Sequence, residues 1–148
     1  MFIFEKKNAL IFGGAKGIGR AIALKFAQLG ADIAVADIDY PSAEATAASI
    51  AELDRRALAI SCDVCSDDSM RNTATMAEYG LGNIDIVVNN VGAILSGNPE
   101  DIPMAEWQRI FDLNFFSMVR SNELFLPKML QRGNGYIVNT ASFAGLYP

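Results

Sequence analysis

The sequence predicts an α/β protein whose five strands form a parallel, doubly wound sheet. Short aliphatic runs alternate with segments of helical periodicity, and parallel strands joined by right-handed helical crossovers accommodate that order. Two of the runs are apolar almost throughout, which is typical of strands covered by helices on both faces. No repeat or linker interrupts the alternation, so we expect one domain over residues 1–148.

The first two strand–helix units begin with NALIF, Asn8–Phe12, which predicts the first strand. An apolar stripe indicates the helix that follows, and Gly30 is expected to end it. The stripe consists of Ile18, Ile22, Phe26 and Leu29. IAVA, residues 33–36, predicts the second strand, and Pro41 suits the first turn of the second helix.

The third unit begins with Ala57–Ser61, which predicts the third strand. Ser66 or Asp67 is expected to cap the helix after it, because their side-chain oxygens can accept from first-turn N–H groups. One face of this helix carries Met70, Thr73, Ala74 and Ala77. IDIVV, residues 84–88, predicts the fourth strand.

A long helix is predicted over residues 105–131, and Pro127 is expected to kink or interrupt its last part. Its apolar face consists of Trp107, Ile110, Phe111, Phe115 and Met118. The fifth strand is predicted at residues 137–140, and the run at 136–138 reads as buried.

Composition limits the possible functions. The chain is 51% hydrophobic and 20% charged, as in a folded globular domain. Its 12 basic and 17 acidic residues are dispersed and sum to −5, so we expect no nucleic-acid partner. No apolar stretch approaches the roughly 18 residues of a membrane span. The N-terminus lacks the basic residues and long apolar core of a secretion signal, so a soluble, cytoplasmic protein is expected.

The sequence contains no histidine, which excludes His-based triads and most zinc sites. Cys62 and Cys65 stand in a CxxC spacing, but zinc would need a second such pair. We expect Cys62 to pack as a small apolar residue instead. Asp63 and Val64, between the cysteines, lie at the carboxyl end of the third strand. We expect that strand beside the first, so an adenine would rest at this end.

FGGAKGIGR follows the first strand directly and opens the first helix. Glycines at Gly13, Gly17 and Gly19 permit a tight turn and a close approach of the backbone to a pyrophosphate. The helix N-terminus would supply N–H groups and partial positive charge to the anion. A purely structural turn also uses glycines, but the strand–turn–helix context favours dinucleotide binding, with Lys16 and Ile18 in the same loop.

Asp37 closes the second strand, 18 residues after Gly19, near the spacing typical of an acid that binds an adenosine ribose. Such a carboxylate repels a 2′-phosphate, whereas Lys16 would attract one. We expect NAD rather than NADP because Asp37 is the closer discriminator, and we include Ile38 among the cofactor-binding residues. A helix cap or a loop charge is the structural alternative, and Asp39 is a neighbour with similar chemistry.

Three further polar positions lie at or near the carboxyl ends of strands. Asn89-Asn90-Val91-Gly92 follows the fourth strand, where the Asn side chains can tie strand ends together and Gly92 lets a cofactor pass. Asn114 interrupts the apolar face of the long helix, either as a satisfied structural amide or as the holder of a catalytic water. Ser142 lies just beyond the fifth strand, as a solvated loop residue or a donor to a substrate carbonyl.

Together these stretches resemble the short-chain dehydrogenase/reductase family from the first strand to the last residue. The matching positions are Gly13, Gly17, Ile18 and Gly19 in the glycine motif, Asp63 and Val64 in the adenine pair, Asn89, Asn90, Val91 and Gly92 in the NNAG motif, and the catalytic Asn114 and Ser142. Phe12 and Val91 depart from the usual Thr and Ala, and loss of the Thr hydroxyl is expected to loosen the tie between the glycine loop and the fourth-strand segment.

The resemblance implies a Rossmann-type fold and NAD(P)-dependent hydride transfer between a nicotinamide and a carbonyl or secondary alcohol. The family's Tyr-x-x-x-Lys motif, whose tyrosine exchanges a proton with substrate, does not occur in this sequence. We therefore expect a truncated, inactive N-terminal portion of a homo-oligomeric enzyme. The alternatives are a non-catalytic nucleotide-binding or interaction module and an S-adenosylmethionine methyltransferase. The latter leaves the NNVG and Ser142 stretches without a role.

Overall fold

The structure is a computed structural model that describes residues 3–143, so Tyr147, which has only Pro148 after it, lies outside the described part. Its five parallel strands form one sheet in the order β3-β2-β1-β4-β5. They are β1 (Asn8–Phe12), β2 (Asp32–Asp37), β3 (Ala57–Ser61), β4 (Ile86–Asn89) and β5 (Tyr136–Asn139). The expectation that the third strand lies beside the first is wrong, because β2 pairs with both and lies between them. The predicted doubly wound fold is confirmed, although β4 begins two residues later than expected.

Helices connect successive strands. They are α1 (Gly17–Gln28), α2 (Tyr40–Ala51), α3 (Asp67–Leu81), α4 (Met104–Phe111) and α5 (Ser117–Arg132), with a 3-10 turn at Pro99–Asp101 before α4 and a π-helical segment, Asp112–Phe116, before α5. Ser66 caps α3 by accepting from Ser69 N, as one of the two predicted caps. None of the helices in residues 3–143 is long and apolar enough to cross a membrane.

The sheet carries a separate core on each face. Alternate β1 residues point to opposite sides, so Leu10 and Phe12 pack with α3 and α5, while Ala9 and Ile11 pack with α1 and α2. Phe12 meets the ring of Phe125 edge-on at 6.4 Å between centroids. The central strands are aliphatic at successive positions because both faces of the sheet are buried there.

The expectation of a buried fifth strand is wrong. Tyr136 is 64% exposed and Val138 46% exposed, because β5 pairs only with β4 at the edge of the described sheet. Ile137 points to the opposite face and packs partly against the core that contains Phe125. The aliphatic run therefore predicted the strand correctly, but it did not predict the exposure of its residues.

The stripe predicted for the first helix does not form its buried face. Ile18 is 66% exposed, and the fully buried positions of α1 are Gly19, Ala23 and Ala27. Small residues occupy this contact because α1 lies close to the sheet, and the larger Ile22 and Phe26 flank it.

The predicted long helix is interrupted at the π-helical segment and continues through Pro127 to Arg132. The proline therefore does not end it. On the predicted apolar face Ile110 is buried, whereas Phe111 and Phe115 are each 55% exposed. The ring of Phe115 meets that of Phe116 edge-on, with 5.3 Å between the ring centroids. The buried face of α5 instead consists of Ser117, Ser121, Phe125 and Met129. The wider π-helical turn before α5 shifts this face relative to the buried face of α4.

Phe125→Ala tests the core between α5 and β1. We expect it to lower the free energy of unfolding by about 3–5 kcal/mol, because a buried ring is replaced by a cavity. The matched control, Leu130→Ala, lies five residues later on the same helix and is exposed, so its effect should stay within about 0.5 kcal/mol. Urea denaturation measures both, and equal losses would contradict the described packing.

Candidate functional site

The register of the parallel strands brings the ends of all five to one edge. Phe12 is paired with Ala36 on one side and with Asn89 on the other, and Asn89 is paired with Asn139. The segments that follow these strands therefore meet, although they are distant in sequence. In open α/β sheets this carboxyl edge is where ligands bind.

The glycine loop holds α1 in close contact with the end of β1. A Cβ atom added to Gly19 would overlap the carbonyl of Gly13 and come within 2.9 Å of Asn90 Nδ2. Gly13 has φ +74°, and a Cβ there would lie 3.0 Å from Val91 Cγ2. Backbone overlap excludes a side chain at Gly19, whereas at Gly13 the positive φ and the tight contact with Val91 disfavour one.

The amino end of α1 is left open. Lys16, its N-cap residue, makes no side-chain cap, whereas Asp39 caps α2 and Ser66 caps α3. Gly17 has φ +53°, and the space where its Cβ would project contains no atom within 4 Å. No cap side chain accepts from the first-turn N–H groups of α1, an arrangement that fits an anionic group such as a pyrophosphate.

Asp37 and Thr46 fix the middle of the glycine loop. Ala15 N donates to Asp37 Oδ2 at 3.0 Å, and Thr46 Oγ1, fully buried, donates to Ala15 O at 2.9 Å. Asp37 Oδ1 accepts from Asp39 N at 3.0 Å. A carboxylate has about four lone-pair directions, so Asp37 is held by two backbone groups and keeps capacity for ligand hydroxyls. The sequence analysis missed Thr46, whose polarity within an Ala-rich helix was the available signal.

Lys16 and Asp39 form an ion pair beside Asp37, with 2.6 Å between Lys16 Nζ and Asp39 Oδ2. The hydrogen bond to Asp39 raises the pKa of Lys16. The same hydrogen bond, followed by those from Ser42, lowers the pKa of Asp39. Both groups therefore stay charged around neutral pH.

A cavity of about 230 Å³ extends from the glycine loop toward the end of β3. It is lined by Gly13, Asp37, Ile38, Cys62, Asp63, Val64, Asn90, Val91, Gly92 and Leu113. The structure thus brings together most of the predicted cofactor-binding residues, and adds Leu113. Asp63 is oriented by its neighbours, since its N–H donates to Ser69 Oγ at 3.0 Å and its Oδ1 accepts from Cys65 N at 2.9 Å.

Cys62 is buried, as expected of a small apolar residue. Burial raises the pKa of the Cys62 thiol, and burial likewise raises that of Cys65, so both are protonated at neutral pH. Within residues 3–143 there is no group of three or more Cys, Asp or Glu side chains placed to hold a metal ion.

A second cavity, of about 670 Å³, opens on the other side of the segment after β4. It is lined by Ile18, Asn90, Val91, Gly92, Ala93, Ile94, Asn114, Met118, Asn139, Thr140, Ala141 and Ser142. Because Asn90, Val91 and Gly92 line both cavities, the two are lobes of one cleft. The exposure of Ile18 is explained by its position at this second lobe.

Asparagine side chains tie the strand ends together, as predicted. Asn89 Nδ2 donates to Asn139 Oδ1 at 2.8 Å, and Asn90 Nδ2 donates to Gly13 O at 3.4 Å. Thr140 Oγ1 donates to Asn90 Oδ1 at 3.0 Å and thereby orients that amide, a role the sequence analysis missed. Asn90 N also donates to Phe12 O at 3.1 Å, so the tie expected to loosen at Phe12 is kept by backbone and amide groups.

Asn114 clamps the segment that follows β4. Its Oδ1 accepts from Ala93 N at 2.9 Å, and its Nδ2 donates to Ala93 O at 2.9 Å. The amide is thus satisfied structurally, and it retains one N–H and one lone pair for a water.

A larger groove of about 950 Å³ along α4 contains Trp107 and Phe111 but none of the predicted site residues.

The chain was compared with protein families and with curated proteins. The model of the short chain dehydrogenase family matches residues 7–148. The chain is 38% identical to a 7α-hydroxysteroid dehydrogenase of Escherichia coli K12 over 95% of its own length and 54% of the relative. It is 33% identical to a cyclohexanol dehydrogenase of Acinetobacter sp. strain SE19 over 97% and 57%. It spans little more than half the length of these relatives.

Solved structures of dehydrogenases superpose on this chain. A 7α-hydroxysteroid dehydrogenase complexed with NADH and 7-oxo glycochenodeoxycholic acid superposes with a TM-score of 0.93 at 36% identity, covering 98% of this chain and 56% of the other. A short-chain type dehydrogenase/reductase from Mycobacterium marinum also gives a TM-score of 0.93 at 36% identity, over 98% and 57%.

Asn114→Ala tests the clamp on Ala93. Losing both side-chain bonds should speed amide hydrogen exchange at Ala93 by about fivefold or more, since a bond of about 1 kcal/mol or more protects it. Asn72→Ala, an exposed substitution on α3, is the control and should leave Ala93 unchanged. Exchange resolved by NMR measures this, and equal protection of Ala93 in all three proteins would refute the clamp.

Proposed function

The chain belongs to the short-chain dehydrogenase family, and on that premise we propose that it binds NAD and forms the cofactor-binding part of an oxidoreductase. The proposed reaction is hydride transfer between the nicotinamide and a carbonyl or secondary alcohol. NADP is the less favoured cofactor.

The observation that carries this proposal is the open amino end of α1 above the Gly13–Gly19 contact. Gly19, where a side chain would collide with the Gly13 carbonyl, brings the helix terminus to the sheet edge, and no cap side chain is bonded to that terminus. A pyrophosphate bound there would accept from the first-turn N–H groups and be stabilised by the helix dipole.

Asp37 supports the choice of NAD. Two backbone N–H groups hold its carboxylate, and its remaining lone pairs suit the two ribose hydroxyls of an adenosine. The same negative charge would repel a 2′-phosphate. A relative of this chain has been solved with NADH, which agrees with the proposal.

The two lobes of the cleft correspond to the two ends of a dinucleotide. In the smaller lobe Ile38, Asp63 and Val64 would hold the adenine. In the larger lobe Ile18 and the segment Asn90-Val91-Gly92 would hold the nicotinamide, beside Ser142. When bound, the nicotinamide supplies a carbon that gives or takes a hydride.

Ser142 and Asn114 are the proposed catalytic residues. Both line the larger lobe, so the Ser142 hydroxyl could donate to the oxygen of a carbonyl substrate there. Asn114 keeps hydrogen-bonding capacity beyond its bonds to Ala93 and would hold a water in a proton relay. The names of the curated relatives include a hydroxysteroid and cyclohexanol, which agrees with a secondary alcohol as substrate.

We further propose that residues 1–148 bind NAD without turnover. None of the tyrosines has a lysine four residues later, the spacing of the family's acid–base pair. Free tyrosine has a pKa of about 10, so proton transfer near neutrality needs a nearby cation. At Tyr40 the hydrogen bond to Glu44 raises the pKa instead. A longer form would carry out the reaction, as a homo-oligomer.

Titration of the chain with NAD by calorimetry tests the proposal, with saturable binding as the expected result. Gly19→Ala should weaken NAD binding by about tenfold or more, because the added methyl group would displace Gly13 and Asn90. Gln28→Ala is the control, since Gln28 is exposed at the other end of α1. Circular dichroism checks that both variants fold.

Two outcomes would contradict the proposal. Tight binding of S-adenosylmethionine without any binding of NAD would favour a methyltransferase. Oxidation of an alcohol by residues 1–148 with NAD would leave the cofactor assignment intact and overturn the proposed lack of turnover.

A further inference from the structure

Three charged side chains lie together beyond the end of β2. Asp39 N donates to Asp37 Oδ1 at 3.0 Å, and Asp39 Oδ2 is 2.6 Å from Lys16 Nζ. Asp37 in turn accepts from Ala15 N, the residue before Lys16. The family resemblance and the proposed function use Asp37, but they leave the Lys16–Asp39 pair without a role.

We propose that Asp39 is a second specificity-determining residue for the cofactor, because it binds the one cation of the glycine loop and so withholds that cation from a 2′-phosphate. The inference rests on the proposed function, since it assumes that the adenosine ribose lies at Asp37. Cofactor choice then depends on two acids with different tasks. Asp37 faces the ribose, and Asp39 neutralises Lys16.

Lys16 would otherwise favour NADP. It lies in the loop that approaches the phosphates and follows Ala15, which is bonded directly to Asp37. A Lys ammonium is a compact charge on a flexible stem, so it can reach a phosphate at any nearby position. The other nearby cation, Arg20, is directed to Ser49 Oγ at 3.5 Å on α2.

Hydrogen bonds to groups other than Lys16 hold Asp39 in position. Asp39 is the N-cap of α2, and it accepts from Ser42 N at 3.2 Å and from Ser42 Oγ at 2.8 Å. Its backbone N–H is bonded to Asp37. Because the helix cap holds the carboxylate, the mobile partner of the pair is the lysine.

The pair is exposed, with 72% of the Lys16 side chain and 38% of the Asp39 side chain accessible, so solvent weakens it. The ion pair therefore favours the Lys16 conformation that contacts Asp39, but it does not prevent the lysine from adopting others. Removing the Asp39 charge would release the lysine and also remove one negative charge near the proposed phosphate position. Both changes favour NADP over NAD.

Asp39→Asn tests the inference with little risk to the fold, because asparagine is an equally good N-cap. We expect the Kd for NADP to fall by about fivefold or more, the scale of one added charged hydrogen bond, while the Kd for NAD changes by less than about twofold. Glu52→Gln removes the same charge at the other end of α2 and should change neither value.

Lys16→Met supplies the decisive comparison. In the Asp39→Asn background it should remove the larger part of the gain. In the unchanged chain it should weaken NADP binding clearly less than in that background, because Asp39 already binds the lysine there. Calorimetric titration of all five proteins with NAD and NADP provides the values.

The outcomes separate this inference from the proposed function. If the unchanged chain binds NAD but Asp39→Asn brings no gain for NADP, or the gain survives Lys16→Met undiminished, the inference fails and the proposed function stands. If Lys16→Met weakens NADP binding as much in the unchanged chain as in the Asp39→Asn background, Lys16 already reaches the phosphate and the inference is wrong. If the unchanged chain binds neither dinucleotide, the proposed function and this inference both fall.

Discussion

The contact between Gly19 and the carbonyl of Gly13 is the constraint on which the rest of the site depends. It leaves no space for a side chain between the first turn of α1 and the end of β1. The helix terminus is therefore held at the sheet edge, and Asn90, from the segment after β4, lies against the same two glycines. A wider separation would remove the amino end of α1 from the cleft and leave Asn90 without its carbonyl acceptor.

The polar side chains of the site are mostly held by backbone groups of neighbouring segments. Asp37 accepts from Ala15 N, Asn114 both donates to and accepts from Ala93, and Thr46 donates to Ala15 O. Such bonds fix side-chain orientation before any ligand is present, which lowers the entropy that binding must overcome. Preorganisation here results from loops that are hydrogen-bonded to each other across the carboxyl ends of the strands.

The two halves of the cleft differ in how they are supported. Around β1 the sheet is covered on both faces by two separate cores, and this half carries the glycine loop and Asp37. At β5 the described sheet has an exposed edge, and Ser142 lies beyond it. In our proposal the rigid half binds the cofactor, and the exposed half faces the substrate. The chain spans little more than half the length of the relatives it matches.

The sequence by itself determined the order of strands along the chain, the glycine turn and the place of Asp37, and it narrowed the cap of α3 to two residues. Strand periodicity, glycine conformation and capping are local properties. Only the tertiary structure decided that Ile18 and β5 are exposed, since periodicity shows which residues share a face and not what covers it. The same holds for the bonds Lys16–Asp39 and Thr140–Asn90, whose partners are 23 and 50 residues apart. Strand register brings those residues together, and no local pattern encodes register between distant strands.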